Sequence, residues 1–592
     1  MAKILGVASH YHDAAAALIV DGRVVAAADE ERFSRVKHDS RFPRNAIEFC
    51  LAKGGISGNE LDYAVFYENP KLKLDRILRT TLKHSPYSRD LFVAALRSYL
   101  TNKYWIKTAM SSFLDCDTSA VVFCEHHLSH ACSAFFCSPF SDAAVVTIDG
   151  VGEWNTVTAS VCRDGQILKL YEIDFPHSVG LLYSAFTAFL RFRVNDGEYR
   201  VMGLAPYGRP NRMDDMWKLV SLHGDGKFAL NLDYFSWEYD SHRLYSDKFL
   251  ELFGQPRPED LELDFDGRGN DDKNGVGLLA QQYADIAASA QKLVEEIVLH
   301  IVRHIHDVAD SDSLCLAGGV ALNSVANHRI RQETNFSHIF VQPAAGDAGC
   351  ALGAALYWNQ VVLENGRSGG RMEPFNPYLG EEFTESDCRN FLSAQAVPYS
   401  EFENTELLCA RVAQLLSENK IVGWCQGRFE WGPRSLGNRS ILANPTHPNM
   451  KEIVNRKIKF REPFRPFAPA VLEECLEDYF EIRMGDHSTE YSFSTLYYML
   501  EVVKFRVGKR ALFPSVAHVD GSGRVQAVSK KLNPLFWQLI NEYKNVTGIP
   551  ILLNTSFNVK GEPIARGIND AYDTFLGTDI DVLVIGNFVV SK

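Results

Sequence analysis

The chain has 592 residues, of which 46% are hydrophobic and 23% charged, with a formal net charge of −13. That length exceeds one ordinary core and predicts several domains, the balance is that of a globular protein, and the acidic sum argues against a dedicated nucleic-acid binder. The 12 cysteines form no CxxC pair, which reads as reduced thiols and not as a disulfide or zinc framework. No apolar run reaches the ~18 residues a membrane span needs, and "MAKILGVASHYHD" lacks a signal-peptide layout. The expectation is a cytoplasmic protein with no membrane partner.

In chain order, the first feature is an approximate repeat. "ILGVAS", the loop "HYHD" and "AAAALIVDGRVVAAADEERF" read as strand, acidic loop, strand, tight turn, strand. From residue 143, "AAVVTI", "DGVGEW" and "NTVTASVCRDGQILKLYEI" repeat that order. The Asp-Gly pairs of "VDGR" and "RDGQ" supply the positive φ values of a type I′ hairpin turn. Any two antiparallel meanders would give this pattern. It is also how the actin/hexokinase-like ATPase fold opens each of its lobes, with the first two turns facing bound phosphates.

Between the copies lies "EHHLSHACSAFF". His126 and His130 are four apart, so a helix stacks them on one face. They are either two structural histidines or two metal ligands. HEXXH chemistry is excluded because His127 stands where the glutamate is needed. With Asp149 at the end of the following strand, a mixed N/O site would suit iron(II), zinc or manganese. His300 and His304 share the spacing without such company and read as structural. The loop "SHYHDA" offers His12 as a proton acceptor near neutral pH, or only a turn in which Asp13 caps the next element. The charge run "DEERFSRVKHD" reads as a solvated face.

Apolar residues recur at three- and four-residue intervals over 278–309 and predict one long helix. "SLCLAGGVALNSVANHRI" reads as a buried strand, a Gly-Gly turn and a helix start, a combination that suits an anion. "AAGDAGCALGAAL" is a second glycine turn into a small-residue helix. "GRSGGRMEPFNPYLG", 366–380, reads as a linker. Beyond it the composition changes: Arg434, Arg439, Lys459, Arg461 and Arg465 are interleaved with Gly, Pro and Phe, an arrangement suited to a compact pocket for phosphate or carbamate oxygens. Arg524 in "DGSGRVQ", with Asn554 and Ser556 in "LLNTSFN", adds donors.

These stretches, with "GEYRVMGLAPYG", "FEWGPRSLGNRSIL", "KFREPFRPFAPAVL" and "NTSFNVKGEPI", run in order over essentially the whole chain. Together they resemble the NodU/CmcH-type O-carbamoyltransferases. The resemblance implies an α/β chain: a duplicated actin-like ATPase (ASKHA) fold over 1–365, the linker 366–380, and an α+β YrdC-like domain over 381–592. It implies that the YrdC-like domain makes carbamoyl adenylate from carbamoyl phosphate and ATP, with Mg on the ATP. The first domain then carbamoylates a hydroxyl of a small-molecule natural product.

Carried over by position, the resemblance makes His126, His130, Asp149 and Asp347 the ligands of a divalent metal, with iron(II) favoured over manganese or zinc. It makes His12 the base for the acceptor hydroxyl, Asp13 its neighbour and Lys37 an acceptor-side lysine. Gly150, Gly152, Gly318, Gly319 and Asn323 fall on nucleotide-binding turns. Arg434, Lys459, Arg465, Arg524, Asn554 and Ser556 fall in the carbamoyl-phosphate and adenylate pocket. Arg200 stands where the family pattern has Lys. The alternatives are an actin-like small-molecule kinase and a threonylcarbamoyl-transfer protein acting on tRNA; the net charge disfavours the second. A monomer or homodimer is expected, and the acceptor-selecting residues are expected around 70–115 and 210–275.

Overall fold

Two Asp-Gly hairpins organise the first half of the chain. β1 (Lys3–Ala8), β2 (Ala15–Val20) and β3 (Arg23–Asp29) form an antiparallel meander. Asp21 and Gly22 in its turn have φ of 52° and 75°, the two positive values a type I′ turn requires. β4 (Tyr63–Phe66) and β5 (Val121–Phe123) extend it in parallel, giving the order β3-β2-β1-β4-β5. β6 (Asp142–Ile148), β7 (Asn155–Arg163) and β8 (Gln166–Asp174) repeat the meander; Asp164 of its turn lies outside the described residues. After a small hairpin, β9 (Val220–Leu222) with β10 (Phe228–Leu230), the strands β11 (Ser313–Ala317) and β12 (His338–Val341) complete the order β12-β11-β6-β7-β8. Each sheet therefore runs third, second, first, fourth, fifth strand, with identical senses. That duplication is the actin-like arrangement expected from the repeat.

The computed structural model describes residues 2–163, 165–263, 265, 276–365, 374–482 and 494–592. The chain divides into two units, Met1–Glu30 with His38–Phe375, and Glu31–Lys37 with Asn376–Lys592. The break after Phe375 falls in the glycine- and proline-rich stretch 366–380, of which 366–373 lie outside the described residues.

In the first unit the long helix spans Val276–Ala309. Its periodic residues Ile286, Ala290, Leu293, Ile297, Ile301 and Ile305 are fully buried, and Val308 at its end is exposed. His300 Nε2 meets the His223 carbonyl at 2.8 Å and His304 lies edge-on to Tyr171, both structural placements. Helix Asp347–Tyr357 packs on helix His126–Phe135 and on β1. Small residues make this possible: a Cβ on Gly353 would sit 1.8 Å from the Ser129 carbonyl oxygen. Among the described residues no helix is long and apolar enough to cross a membrane.

The second unit is α+β. Its strands are β13 (Ser400–Glu401), β14 (Val422–Cys425), β15 (Arg439–Ala443), β16 (Ala468–Leu472), β17 (Val502–Lys504), β18 (Ser522–Arg524), β19 (Gln526–Val528), β20 (Ile551–Ser556), β21 (Val582–Ile585) and β22 (Phe588–Ser591). Eight of them form a mixed sheet in the order β13-β22-β21-β14-β15-β20-β16-β19, and β17 pairs with β18. Helices Thr405–Ser417 and Pro534–Thr547 pack together beside it.

The charge run at 29–39 is not a solvated face. Arg32 is 1% exposed and, inside the second unit, donates to the carbonyls of Ala565 and Glu430 at 3.4 and 3.2 Å. Arg35 donates to Ile564 and Pro563 carbonyls at 2.8 and 2.9 Å. In the first unit, Glu30 accepts from the Ala46 N–H at 2.9 Å, capping a helix start. Backbone groups distant in sequence take up much of this charge, and Arg35 Nε also lies 3.5 Å from Asp570 Oδ1.

Arg439 follows the same rule. It is fully buried and gives its guanidinium to the carbonyls of Arg566 (2.9 Å), Gln426 (2.6 Å), Gly427 (3.1 Å) and Glu381 (3.2 Å). Arg461 is bound to Asn455 Oδ1 at 2.7 Å and the Pro466 carbonyl at 3.3 Å. Both arginines therefore hold the framework. Arg439→Leu should orphan several buried carbonyls and lower stability by at least about 3 kcal/mol, measured as a fall in urea midpoint.

Candidate functional site

The helix His126–Phe135 begins where Glu153 receives it: both carboxylate oxygens lie 3.1 Å from the His126 N–H. One turn later His130 points the same way, and both imidazoles are buried. Asp149 follows the last residue of β6. Its Oδ2 lies 2.9 Å from His126 Nε2 and 3.3 Å from His130 Nε2. Asp347, the first residue of helix Asp347–Tyr357, places Oδ1 3.8 Å from both nitrogens. These four donor atoms lie within 4.8 Å of one another. Cys350 completes an alternative set with the two histidines. His127 turns away, its Nδ1 2.6 Å from Thr147 Oγ1.

The electrostatics fit a cation. Burial opposes charge on Asp149, yet the hydrogen bonds from His126 and His130 hold its carboxyl well below the usual range. Burial opposes charge on His126 too, and the Asp149 hydrogen bond raises it to about 9. Burial and the Asp149 charge push Asp347 up, and its Oδ2 is buried without a hydrogen-bond partner. Two nitrogen and two oxygen donors, with crowded carboxylates and one orphaned oxygen, match a first-row divalent ion. His127, pushed well below its usual value by burial and the neighbouring imidazoles, stays neutral.

The glycine turns gather on the same carboxylate. Gly150 and Gly152 follow Asp149 in the chain. Gly318 has φ of 90°, and a Cβ there would lie 2.2 Å from the Ile148 oxygen, so the turn closes only with glycine. Gly319 N–H then donates to Asp149 Oδ1 at 3.1 Å. Asn323 differs. Its side chain caps the next helix through Ala326 N–H at 3.1 Å and pairs with Gln291 at 3.0 and 3.1 Å. That commits it to structure.

His12 and Asp13 join a larger cluster. Asp13 Oδ2 is 2.6 Å from His12 Nδ1 and its Oδ1 is 2.9 Å from His38 Nδ1. Asp13 therefore serves two imidazoles and is not a local turn cap. His12 Nε2 faces the Asn195 carbonyl. Burial opposes charge on His12, but the Asp13 carboxylate outweighs it and raises the pKa to about 10. With both nitrogens facing acceptors, His12 in this arrangement is an imidazolium. It accepts a proton at Nε2 only after that nitrogen has left the Asn195 carbonyl and lost its own proton to solvent. Arg200 lies 3.7 Å from Asp196 and stacks on Phe192 and Tyr199.

In the second unit, Lys459 is buried and donates to the Ser556 carbonyl (2.8 Å), Ser556 Oγ (3.1 Å), the Asn558 carbonyl (2.8 Å) and Asn558 Oδ1 (2.6 Å). Burial, then Arg461, Arg465 and Lys37, push its pKa well below the usual value. Lys37 thus lies within the electrostatic reach of Lys459. Arg524 is driven down by burial and by Arg434 and Arg465, so three guanidiniums share one low-dielectric region. Asn554 Nδ2 donates to Ser435 O at 3.2 Å and Gln526 Oε1 at 2.8 Å, while its buried Oδ1 has no partner. Sequence reasoning passed over His38, Asp196, Glu153 and Asn558; the histidine beside Lys37 and the acid of "DGVGEW" were the available signals. The two stretches expected to select an acceptor meet at a cavity of about 480 Å³ lined by His84, Tyr87, Asp90 and residues 239–242.

Comparison with known proteins gives two family matches. The family described as Carbamoyltransferase N-terminus matches residues 3–356, and Carbamoyltransferase C-terminus matches 413–592. An uncharacterized Synechocystis protein is 43% identical over 616 residues, covering 100% of this chain and 97% of its own. Nodulation protein NolNO of Sinorhizobium fredii is 36% identical over 582 residues, 98% of this chain and 79% of its own. Nodulation protein U of Rhizobium tropici is 29% identical over 582 residues, 93% of this chain and 90% of its own. For the histidine–aspartate centre, His130→Ala should abolish stoichiometric divalent metal by elemental analysis, whereas His127→Ala should retain it. Full metal content in the first variant would remove His130 from the ligand set.

Proposed function

The chain belongs to the carbamoyltransferase family, and from that premise we propose an ATP-dependent O-carbamoyltransferase working in two steps. The second unit makes carbamoyl adenylate and the first passes the carbamoyl group to a hydroxyl of a small-molecule natural product. The observation that carries the two-step reading is Arg524, half-buried and within electrostatic reach of Arg434 and Arg465. Guanidiniums gathered in this way favour an incoming anion, and carbamoyl phosphate is a small dianion. A sugar kinase built on the duplicated fold would account for neither this centre nor the family match over 413–592.

In the first step carbamoyl phosphate yields its phosphate to water. The resulting carbamate oxygen attacks the α-phosphorus of ATP and pyrophosphate leaves. Arg434, Arg465 and Arg524 hold the anionic groups. Lys459, held by Ser556 and Asn558, keeps those side chains in place. Asn554 Oδ1, buried and without a partner, is an acceptor suited to the carbamoyl NH2. The adenylate is labile in water, so the burial of these groups protects it.

In the second step the acceptor oxygen attacks the carbamoyl carbon, AMP leaves, and the hydroxyl proton passes to His12 Nε2, which has first left the Asn195 carbonyl and lost its own proton to solvent. A dication held by His126, His130, Asp149 and Asp347, with iron(II) favoured, would polarise the carbamoyl oxygen or neutralise phosphate. The Gly318–Gly319 turn offers N–H groups beside it.

Two measurements separate the steps. Arg465→Ala should lower pyrophosphate release from ATP and carbamoyl phosphate about 10²–10³-fold with bound metal unchanged; a normal pyrophosphate yield would remove Arg465 from the first step. His12→Ala should keep adenylate formation and slow transfer about 10²–10⁴-fold, read by mass spectrometry with a hydroxylated acceptor library.

A further inference from the structure

The Asp13 carboxylate does not stop at His12. Its second oxygen holds His38 Nδ1 at 2.9 Å, and His38 Nε2 reaches Asp196 Oδ1 at 3.0 Å. The two rings lie 4.7 Å apart. Asp196 is approached on its other oxygen by Arg200 at 3.7 Å. The same loop supplies the Asn195 carbonyl to His12 Nε2, with Asn195 at φ of 65°. All of these residues lie in the first unit, at side-chain exposures of 24% for both histidines, 22% for Asp13 and 11% for Asp196.

Count the protons on this chain. A carboxylate only accepts, so His12 and His38 must each donate Nδ1–H to Asp13. His38 must also donate Nε2–H to Asp196. A ring that donates from both nitrogens is an imidazolium. His38 is therefore a cation fixed between two carboxylates, and His12 is the member whose outer nitrogen can be freed. We propose that His38 and Asp196 are positioning residues for His12: the His12–Asp13–His38–Asp196 chain locks the imidazole and shares Asp13, so that His12 can give up its charge and accept the acceptor's proton. This inference rests on the role proposed above for His12.

The electrostatics follow in sign. Burial opposes charge on His38, and hydrogen bonds to Asp13 and Asp196 raise it to about 9. The groups that face His12 are Asp13, Asp347 and the Asn195 carbonyl, all of which favour its charged form. The His12 charge in turn lowers His38, and by reciprocity the His38 cation lowers His12. Without His38, Asp13 would act on His12 alone and hold its proton more firmly. The base form would then appear only at higher pH.

The test uses the full-length, metal-loaded protein with ATP, carbamoyl phosphate and an acceptor. His38→Gln should leave metal content and the first-turnover release of pyrophosphate unchanged. The ascending limb of the transfer rate should move to higher pH by about one unit, a loss of about tenfold below the limb, and the rate should recover above it. Adding Asp196→Asn to His38→Gln should change the profile no further, because Asp196 acts through His38. A uniform loss at every pH would make His38 merely structural and overturn the proposal. Loss of bound metal would overturn it by making His38 a ligand. An unchanged profile in His38→Gln beside a crippled His12→Ala would sink the relay and leave His12 standing. Full transfer in His12→Ala would sink both.

Discussion

Burying a carboxylate at the end of β6 removes hydration that only N–H donors or cations can replace. Asp149 receives that replacement from two imidazoles on one helix and from the Gly319 N–H on a distant turn. Each partner fixes an element: the HxxxH helix, the β11 turn and, through Asp347, the small-residue helix Asp347–Tyr357. The close approach of that helix to its neighbours depends on Gly353. The packing of the first unit and the donor set of its candidate metal centre are therefore one requirement. Crowding two carboxylates would be unfavourable in a framework without a cation, and this crowding is what distinguishes the site from an ordinary buried histidine pair.

Much of this was legible because it is local. A type I′ turn needs Asp-Gly, an amphipathic helix repeats every three to four residues, and four residues separate stacked ligands. The duplicated sheet order followed from two such local patterns. What failed to show was the partnering of charge over long sequence distance. Arg32 and Arg439 sit in runs that resemble a solvated face and a substrate pocket, yet both donate chiefly to backbone carbonyls. Asn323 looked like a nucleotide-turn residue and is a helix cap. His38 was hidden in a charge run because its partners, Asp13 and Asp196, are 25 and 158 residues away.

The second unit shows how one residue type divides between the framework and the chemistry proposed for it. Arg439 has its donors spread over carbonyls whose dipoles spread its charge, so it tolerates burial without an anion. Arg524 has Arg434 and Arg465 as charged neighbours, and its pKa falls for that reason as well as from burial. The distinction lies in the partners as well as in the depth, since Arg439 is fully buried and Arg524 half-buried, and no spacing rule in the sequence encodes it.

Lys459 extends that logic. Four oxygens from the end of β20 and the residues after it hold its ammonium in place, while Arg461, Arg465 and Lys37 act against its charge. Oxygen dipoles fix where the side chain sits, and acids stand among the basic neighbours: Glu562 favours the charged form of Lys459, and Glu462 lies 3.6 Å from Arg465. Such a centre is organised before any ligand arrives. In the adenylation proposed for this unit, an incoming dianion would gain the attraction without a rearrangement of side chains, which is the condition under which a basic cluster can favour a reacting group over bulk water.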